Sequence, residues 1–310
     1  MIQIGTYLMR DAIYTPEERL RIIKSAGFDF VCLNMDKLLE GETVGLTPAM
    51  CERVGMPIDN VHLTGKGTHA VWAEGERGDK VTARYCKEIA LCREYGIKVG
   101  ITHVTWGTSE PPPVGEIGIR RFEQIVECAE RNGVILALEN SVSEEHLAYV
   151  FDHIDSQNLG FCFDTGHRHA FAPNTNFIAR YGHRLVATHL QDNDGKKDLH
   201  LLPLDGSIDW NKVARELASV PFSRSRICAE VAGARSVKRE GMTKAEIEAS
   251  LAHVSAMQKG LIHVEDGGFT PYADFTYEAL IDRLYHAMQT IANRIEREHA
   301  EEQQSHEKDH

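Results

Sequence analysis

The chain has 310 residues, of which 42% are hydrophobic and 26% charged, and its formal net charge at neutral pH is −12. These fractions are typical of a globular protein, and no apolar run of about 18 residues that would cross a membrane is present. The negative charge disfavours general attraction to nucleic acid or to anionic lipid.

Eight segments have the length and apolar character of β-strands. They occupy residues 2–8, 28–34, 58–64, 97–104, 134–139, 159–164, 185–190 and 226–230. One uninterrupted series of strands alternating with helices predicts an α/β fold, a single (β/α)₈ TIM barrel, rather than an open doubly wound sheet. No glycine-rich phosphate loop follows the first strand, so a dinucleotide-binding fold is disfavoured.

Capping residues mark the predicted helices between these strands. Residues 15–18 combine a capping box with a proline at the first helical position. Helices predicted over 79–95 and 116–132 both end at a glycine. Ser141 and Thr243 are each followed three residues later by glutamate, which predicts two further helix starts.

The C-terminal part extends beyond the barrel. Its pattern predicts helices over 244–261 and 276–298, which form a C-terminal helical extension. We assign residues 1–293 to the barrel domain and expect the charged segment 294–310 to be a disordered tail.

The cysteines and the first residues bear on the compartment. Seven cysteines, an odd number, include no CxxC pair, and several lie in apolar segments, which favours buried free thiols in a reducing cytoplasm. The first residues lack a basic region followed by an apolar stretch, so we expect no secretory signal.

Four successive strands end in residues that bind metals, namely Glu139, Asp164, His189 and Glu230. Parallel strands bring their carboxyl ends together, so these side chains are expected to share one site. Three carboxylates and one imidazole suit Mn²⁺, Mg²⁺, Co²⁺ or Zn²⁺. The residues two positions earlier, which share a strand face with the ligands, are all small: Ala137, Cys162, Ala187 and Cys228. Small residues beneath the top layer of a barrel leave room for a polar site above them.

Other metal-binding side chains lie at the same level of the predicted barrel. They are candidates for further metal contacts or for substrate contacts: His62, His103, His167, Asp198 and His200. A lone histidine at a strand end is more often a hydrogen-bonded structural residue, so these assignments depend on the whole constellation. His69 and His169 are expected to be loop residues.

Several of these motifs together resemble a known superfamily. They are Glu139, D-T-G-H at 164–167, H-L-Q-D-N-D-G at 189–195, D-L-H at 198–200, L-P-L-D-G-S-I-D-W at 202–210 and Glu230. This set is similar to the xylose isomerase-like TIM barrels, and to the sugar phosphate isomerase/epimerase group in particular, over about residues 1–290. The resemblance implies that Glu139, Asp164, His189 and Glu230 bind one divalent metal, and that the two glutamates also act as acid and base. In this superfamily such C-terminal extensions cover the barrel or join subunits, so a homo-oligomer is expected.

The resemblance implies an isomerase or epimerase that acts on a sugar or sugar phosphate through an enediolate. A metal would stabilise the charge that develops when a proton leaves the carbon beside a carbonyl. Loss of a β-hydroxyl from the same enediolate would make the protein a dehydratase, which the sequence leaves open. Ketohexose 3-epimerases carry a Ser-Glu pair and an arginine after the histidine, whereas residues 191–197 here read Q-D-N-D-G-K-K.

Endonuclease IV belongs to the same superfamily and binds three zinc ions through a histidine and carboxylate set that this chain also matches. The net charge of −12 and the scarcity of arginine in the loops at 106–118 and 139–145 disfavour a DNA substrate. A barrel without catalytic activity is disfavoured because all four central ligands are present. We therefore expect a small carbohydrate substrate.

Candidate substrate contacts lie in the loops that follow the strands. The glycine-rich loop at 65–79 contains Trp72 and is expected to close over the barrel mouth. Trp72 and Trp106 would either stack on a sugar ring or pack against a helix or a partner subunit, and Lys197 would meet a phosphate or acidic group. Trp210 is expected to be structural, with Asp209 as a helix cap.

Overall fold

The computed structural model describes residues 1–9, 11, 13–43, 45–106, 110–231, 272 and 275–308. The helix predicted over 244–261 and its cap Thr243 lie outside these residues. Within them, no helix is long and apolar enough to cross a membrane.

All eight predicted strands are present, each shorter than or equal to its predicted range. They are β1 Gln3–Tyr7, β2 Phe30–Asn34, β3 Ile58–His62, β4 Val99–His103, β5 Ile135–Glu139, β6 Leu159–Asp164, β7 Leu185–His189 and β8 Arg226–Ala229. Each pairs in parallel with the next along the chain, and β1 also pairs with β8. A parallel bridge between Leu190 and Ala229 joins β7 to β8 and completes the circle. The TIM barrel prediction is confirmed.

Helices lie between the strands in the described residues. They are α1 Pro16–Ala26, α2 Met35–Leu39, α3 Pro48–Val54, α4 Glu76–Glu94, α5 Glu116–Asn132, α6 Glu144–His153, α7 Thr165–Phe171, α8 Phe177–Tyr181, α9 Trp210–Ala218 and α10 Tyr277–Lys308. Two short 3₁₀ helices span Thr68–Trp72 and Gly182–Arg184. The capping box at Thr15 is formed as predicted, and Asp209 caps α9 by accepting from two backbone amides.

Two predicted features near helix ends differ in the structure. The N-cap of α6 is Ser143, whose hydroxyl accepts from the His146 amide, so the cap predicted at Ser141 lies two residues too early. The segment predicted as a disordered tail is helical through Lys308, because α10 continues to bury apolar residues as far as Ile295. Arg224 also donates to His299 on this part of α10.

The cysteines are not all free thiols. Cys86 on α4 and Cys128 on α5 form a disulfide, with 5.5 Å between their Cα atoms. The sequence prediction was wrong for this pair because α4 and α5 pack side by side and bring the two positions together. The other five cysteines are free and buried.

The barrel interior contains the small residues that the sequence indicated. One cluster contains Ile101, Ala137, Cys162 and Ala187, and the other contains Tyr7, Phe30, Cys32 and Cys228. Three of the four residues beneath the predicted ligands are at most 1% exposed, and Cys228 is 2% exposed. A floor of small side chains therefore lies beneath the carboxyl ends of β5 to β8.

Candidate metal centre at the carboxyl end of the barrel

Glu139 ends β5 and lies at the centre of the site, fully buried. Its Oε2 lies 3.3 Å from His62 Nε2 and 3.0 Å from His103 Nε2. Its Oε1 lies 3.1 Å from His167 Nδ1 and 3.0 Å from His189 Nδ1. One carboxylate therefore touches imidazoles from four different parts of the barrel.

His189 joins the two glutamates that the sequence singled out. It ends β7 and is fully buried, and its Nδ1 lies 3.1 Å from Glu230 Oε2 as well as 3.0 Å from Glu139 Oε1. Glu230 follows directly after β8, and its side chain is 20% exposed. The two glutamates thus differ in access, because Glu139 is enclosed while Glu230 lines the cavity.

Asp164 is fixed by its place between β6 and α7. Its Oδ1 accepts from the His167 amide at 2.6 Å and so caps α7. Its backbone exchanges two hydrogen bonds of 2.8 Å with the Asn140 side chain. These contacts occupy the backbone and one carboxylate oxygen, while Oδ2 has no hydrogen-bond partner.

A second group of side chains that can bind a metal lies beside the first, and it contains His167, Asp198 and His200. Asp198 Oδ2 is 3.3 Å from His167 Nε2 and 3.0 Å from His200 Nε2, and Asp198 Oδ1 accepts from Gln191 Nε2 at 2.6 Å. His200 has φ of 48° and places its Nδ1 3.2 Å from the Glu230 carbonyl oxygen.

The structure brings all nine predicted ligand candidates into three groups, two of which share Glu139, and in each group the ligand atoms lie within 4.8 Å of one another. The groups are His62, His103 and Glu139; Glu139, Asp164, His189 and Glu230; and His167, Asp198 and His200. Cys162 Sγ also lies within this distance of Glu139 and His189. Burial raises the pKa of this thiol to about 12, so it is neutral at physiological pH.

Burial and neighbouring charges shift the acidities of the site. Burial raises the pKa of Asp164 to about 7. Burial also acts to raise the pKa of Glu230, but the His189 imidazole lowers it to about 2. Burial acts to lower the pKa of His189, but the Glu139 and Glu230 carboxylates hold it well above its ordinary value. The carboxylates of Glu139, Asp164 and Glu230 therefore favour a positive charge between them.

Glu139, Asp164, His189 and Glu230, here called the quartet, fit a divalent cation. Among the described residues, three buried ligand atoms of the quartet form no hydrogen bond of acceptable geometry: Glu139 Oε1, Asp164 Oδ2 and His189 Nδ1. Glu139 Oε1 and His189 Nδ1 lie only 3.0 Å apart, so these two atoms meet without a well-directed hydrogen bond. Unpartnered buried polar atoms are rare because each carries a desolvation cost. A cation bound by the quartet would satisfy these atoms, and it would provide the positive charge that otherwise requires a proton on His189.

The cavity above the quartet has a volume of about 590 Å³, within the range of small-molecule pockets. Its walls include five of the nine ligand candidates besides Glu230: His62, His103, His167, Asp198 and His200. Asn34, Asp36 and Lys66 line it on the side of β2 and β3. The cavity therefore has candidate metal ligands at its base and polar side chains along one side.

The three predicted substrate contacts have different positions. Trp106 is 42% exposed, lines the cavity and packs against His103 with 5.4 Å between ring centroids. Trp72 is only 3% exposed, donates to the Val104 carbonyl and packs on Phe122, so it is a packing residue and its assignment to the substrate was wrong. Lys197 is exposed and does not line the cavity, where Lys66 is found instead.

The segment predicted to close over the mouth is held as a fixed wall. The buried Arg121 guanidinium on α5 donates to the carbonyl oxygens of Ala70, Val71, Ala73 and Gly75. His69 Nδ1, on the same segment, accepts from the Trp106 amide at 3.1 Å. The sequence did not indicate this clamp, because nothing in it pairs Arg121 with carbonyls 46 to 51 residues away. Closure of the segment over the mouth stays a prediction.

Sequence reasoning also missed residues that support the ligands. Tyr7 Oη lies 3.0 Å from His189 Nε2, and Asn60 accepts from the Tyr7 hydroxyl. Gln191 contacts both Asp164 and Asp198. Tyr7 and Asn60 lie on predicted strands in which a polar residue among apolar neighbours was the available signal.

Comparisons with known proteins agree with this architecture. The chain is 38% identical over 111 residues to the uncharacterized protein y4fM of Sinorhizobium fredii, a match that covers 33% of this chain and 35% of that protein. Its match to the curated relatives thus spans between a third and two fifths of their length. The solved structure of an L-ribulose 3-epimerase has a TM-score of 0.69 at 15% identity, with 98% of each chain covered. An IOLI protein with a bound zinc atom has a TM-score of 0.60 at 16% identity, with 83% of this chain and 97% of that chain covered.

These structural similarities show the fold. The family described as the xylose isomerase-like TIM barrel matches residues 20–253, which is most of the chain. The chain belongs to the xylose isomerase-like TIM barrel family.

Proposed function

We propose that this protein is a divalent-metal-dependent isomerase or epimerase of a sugar or sugar phosphate. The proposal rests on one observation: Glu139, Asp164, His189 and Glu230 converge beside the cavity, and three of their buried ligand atoms form no well-directed hydrogen bond within the described residues. The names of similar structures, which include an L-ribulose 3-epimerase and a zinc-containing IOLI protein, support the same class.

Removal of the proton beside a sugar carbonyl requires a cation near the carbonyl oxygen and a base near the adjacent carbon. A divalent ion held by the quartet would polarise a sugar carbonyl and stabilise the enediolate charge. Glu230 lines the cavity, and its low pKa keeps it ionised at neutral pH, so it is the group that removes the proton beside the carbonyl.

Glu139 is enclosed by imidazoles and so acts on the substrate less directly than Glu230. Its carboxylate orients His62 and His103, which do line the cavity. One of these imidazoles would carry the proton on the second face of the substrate. Trp106 supplies a flat apolar surface for a sugar ring, and Lys66 supplies a positive charge for a phosphate.

Proton exchange with solvent tests this proposal. Metal-replete protein would be incubated in D₂O with a panel of ketoses, aldoses and their phosphates, and NMR would measure deuterium at the carbon beside the carbonyl. We expect exchange with at least one substrate, and loss of exchange in Glu230→Gln. The matched control is Glu127→Gln on the exposed face of α5, which should exchange normally. Release of water together with a new dicarbonyl product would identify a dehydratase instead.

A second candidate is a phosphodiesterase with three zinc ions, and the presence of three neighbouring ligand groups favours it. Several metal ions would stabilise both the attacking and the leaving oxygen of a phosphodiester. The net charge of −12 opposes a polyanionic substrate. Elemental analysis distinguishes the two candidates. One ion per subunit supports the isomerase, whereas three zinc ions with hydrolysis of abasic DNA would support the phosphodiesterase.

A further inference from the structure

A chain of polar side chains runs through the barrel interior to His189. Tyr7 Oη lies 3.0 Å from His189 Nε2 and donates its single hydrogen to Asn60 Oδ1, also at 3.0 Å. Because a phenol has only one hydrogen, its oxygen must accept from His189. The proton of Nε2 is therefore held by Tyr7, and Nδ1 is directed at Glu139 and Glu230.

The orientation of Asn60 is itself determined by its neighbours. Its Nδ2 donates to Asp59 Oδ2 at 3.0 Å, so its Oδ1 must face Tyr7. Asp59 is nearly buried at 7% side-chain exposure and forms an ion pair with Arg226 at the start of β8. In the series from Asp59 through Asn60 and Tyr7 to His189, each side chain therefore determines whether the next one donates or accepts.

We propose that Tyr7, oriented by Asn60, is a positioning residue that presents His189 Nδ1 as a metal ligand. This inference rests on the proposed metal-dependent function. Groups that hold the second ring nitrogen of a metal-binding histidine fix its tautomer and ring orientation. Tyr7 is the hydrogen-bond partner that the structure gives to His189 Nε2.

The arrangement explains what loss of either residue would do. Without the Tyr7 oxygen, a neutral His189 gains by moving its proton to Nδ1, where carboxylate oxygens lie at 3.0 and 3.1 Å. That proton would then compete with the metal. Without Asn60, the Tyr7 hydroxyl would turn and donate to His189 Nε2, which again places the proton on Nδ1. Asn60 does not touch the quartet, so its effect must pass through Tyr7.

Metal affinity tests the inference without any assay of turnover. Zn²⁺ and Mn²⁺ dissociation constants would be measured by competition with a fluorescent chelator for the full chain and its variants. We expect Tyr7→Phe and Asn60→Ala each to weaken binding about 10- to 100-fold. The double variant should bind no more weakly than the weaker-binding single variant, because both changes act on the same proton.

The matched control is Tyr85→Phe on α4. Tyr85 is buried and its hydroxyl bonds to Thr68 and Thr102, so the variant also loses a buried, hydrogen-bonded phenol hydroxyl, away from the metal ligands. It should bind metal as the natural chain does. A second readout is ¹⁵N NMR of histidine-labelled protein saturated with Zn²⁺, in which the proton on His189 Nε2 should lose its acceptor in Tyr7→Phe and exchange faster with solvent.

The outcomes separate this inference from the proposed function. If the natural chain binds no divalent ion, both are wrong. If it binds tightly and Tyr7→Phe and Asn60→Ala bind equally well, the metal centre stands and the positioning role is refuted. Additive effects in the double variant would also refute it, because the two residues would then act separately. If Tyr7→Phe does not fold, the metal affinity of Asn60→Ala decides the question.

Discussion

Arg121 provides the sharpest test of how the cavity wall is built. Arg121 is 4% exposed, and its guanidinium donates to four backbone carbonyls of the segment from Ala70 to Gly75. A hydrogen bond to a charged donor contributes about 1.5–3 kcal/mol. Nη1 shares its two hydrogens among three of the carbonyls, so only two or three full bonds should be counted.

Replacement by alanine should therefore lower the free energy of unfolding by about 3–5 kcal/mol, of which the ion pair to Asp79 contributes little because that side chain is 71% exposed. For a chain of this size the melting temperature should fall by about 10 °C. Urea unfolding would measure the first quantity and calorimetry the second. Hydrogen exchange should show that amides at 68–75 lose protection.

Arg120→Ala is the matched control, since Arg120 is the exposed neighbour on α5. It should change the free energy of unfolding by less than about 0.5 kcal/mol. A loss below about 1 kcal/mol in Arg121→Ala, with exchange at 68–75 unchanged, would refute the clamp. Rapid exchange of this segment in the natural chain would instead restore the idea of a mobile lid.

Four further predictions concern a close contact, a buried thiol, the disulfide and the proposed metal. A Cβ on Gly65 would lie 2.2 Å from Trp106 Cζ3, so Gly65→Ala should displace this side chain and change its fluorescence while the fold persists; an unchanged spectrum would contradict the packing. Burial raises the pKa of Cys51 to about 12 and favours the neutral thiol, so at a pH of about 9 the native protein should resist alkylation there. Denaturation should expose five thiols, and reduction of the Cys86–Cys128 bond two more; seven thiols without reduction would exclude the disulfide. Removal of bound metal with EDTA should lower the melting temperature by about 10 °C, and added Zn²⁺ or Mn²⁺ should restore it, because saturating ligand stabilises the native state by about 4 kcal/mol at a thousandfold excess over Kd. An EDTA-insensitive melting temperature in protein shown to contain metal would count against a buried site.

The strands and the ligand candidates could be predicted because their signals are local. Apolar runs of strand length, separated by capped helices, specify a barrel through rules that apply to neighbours in sequence. Parallel strands in such a barrel end on the same side, so Glu139, Asp164, His189 and Glu230 had to approach one another once the fold was correct. Their residue types alone predict a metal site, and this stays a prediction.

Other predictions failed where the deciding neighbour is remote in sequence. Trp72 and Trp106 looked alike, but only the packing of Trp72 on Phe122 shows which one is buried. The cap at Ser143 replaced Ser141 because β5 and its following turn set where α6 begins. Lys66 rather than Lys197 lines the cavity because the loop after β3 folds over the mouth.

The sequence by itself determined the order of strands and helices, and which residues lie at the carboxyl ends of the strands, because these depend on periodicity and capping over a few residues. The tertiary structure decided what supports them. Tyr7 contacts His189, which is 182 positions away in the sequence, and Arg121 contacts the segment from Ala70 to Gly75, which is about 50 positions away. Such contacts depend on the geometry of the closed barrel, in which strands distant in the chain share one interior.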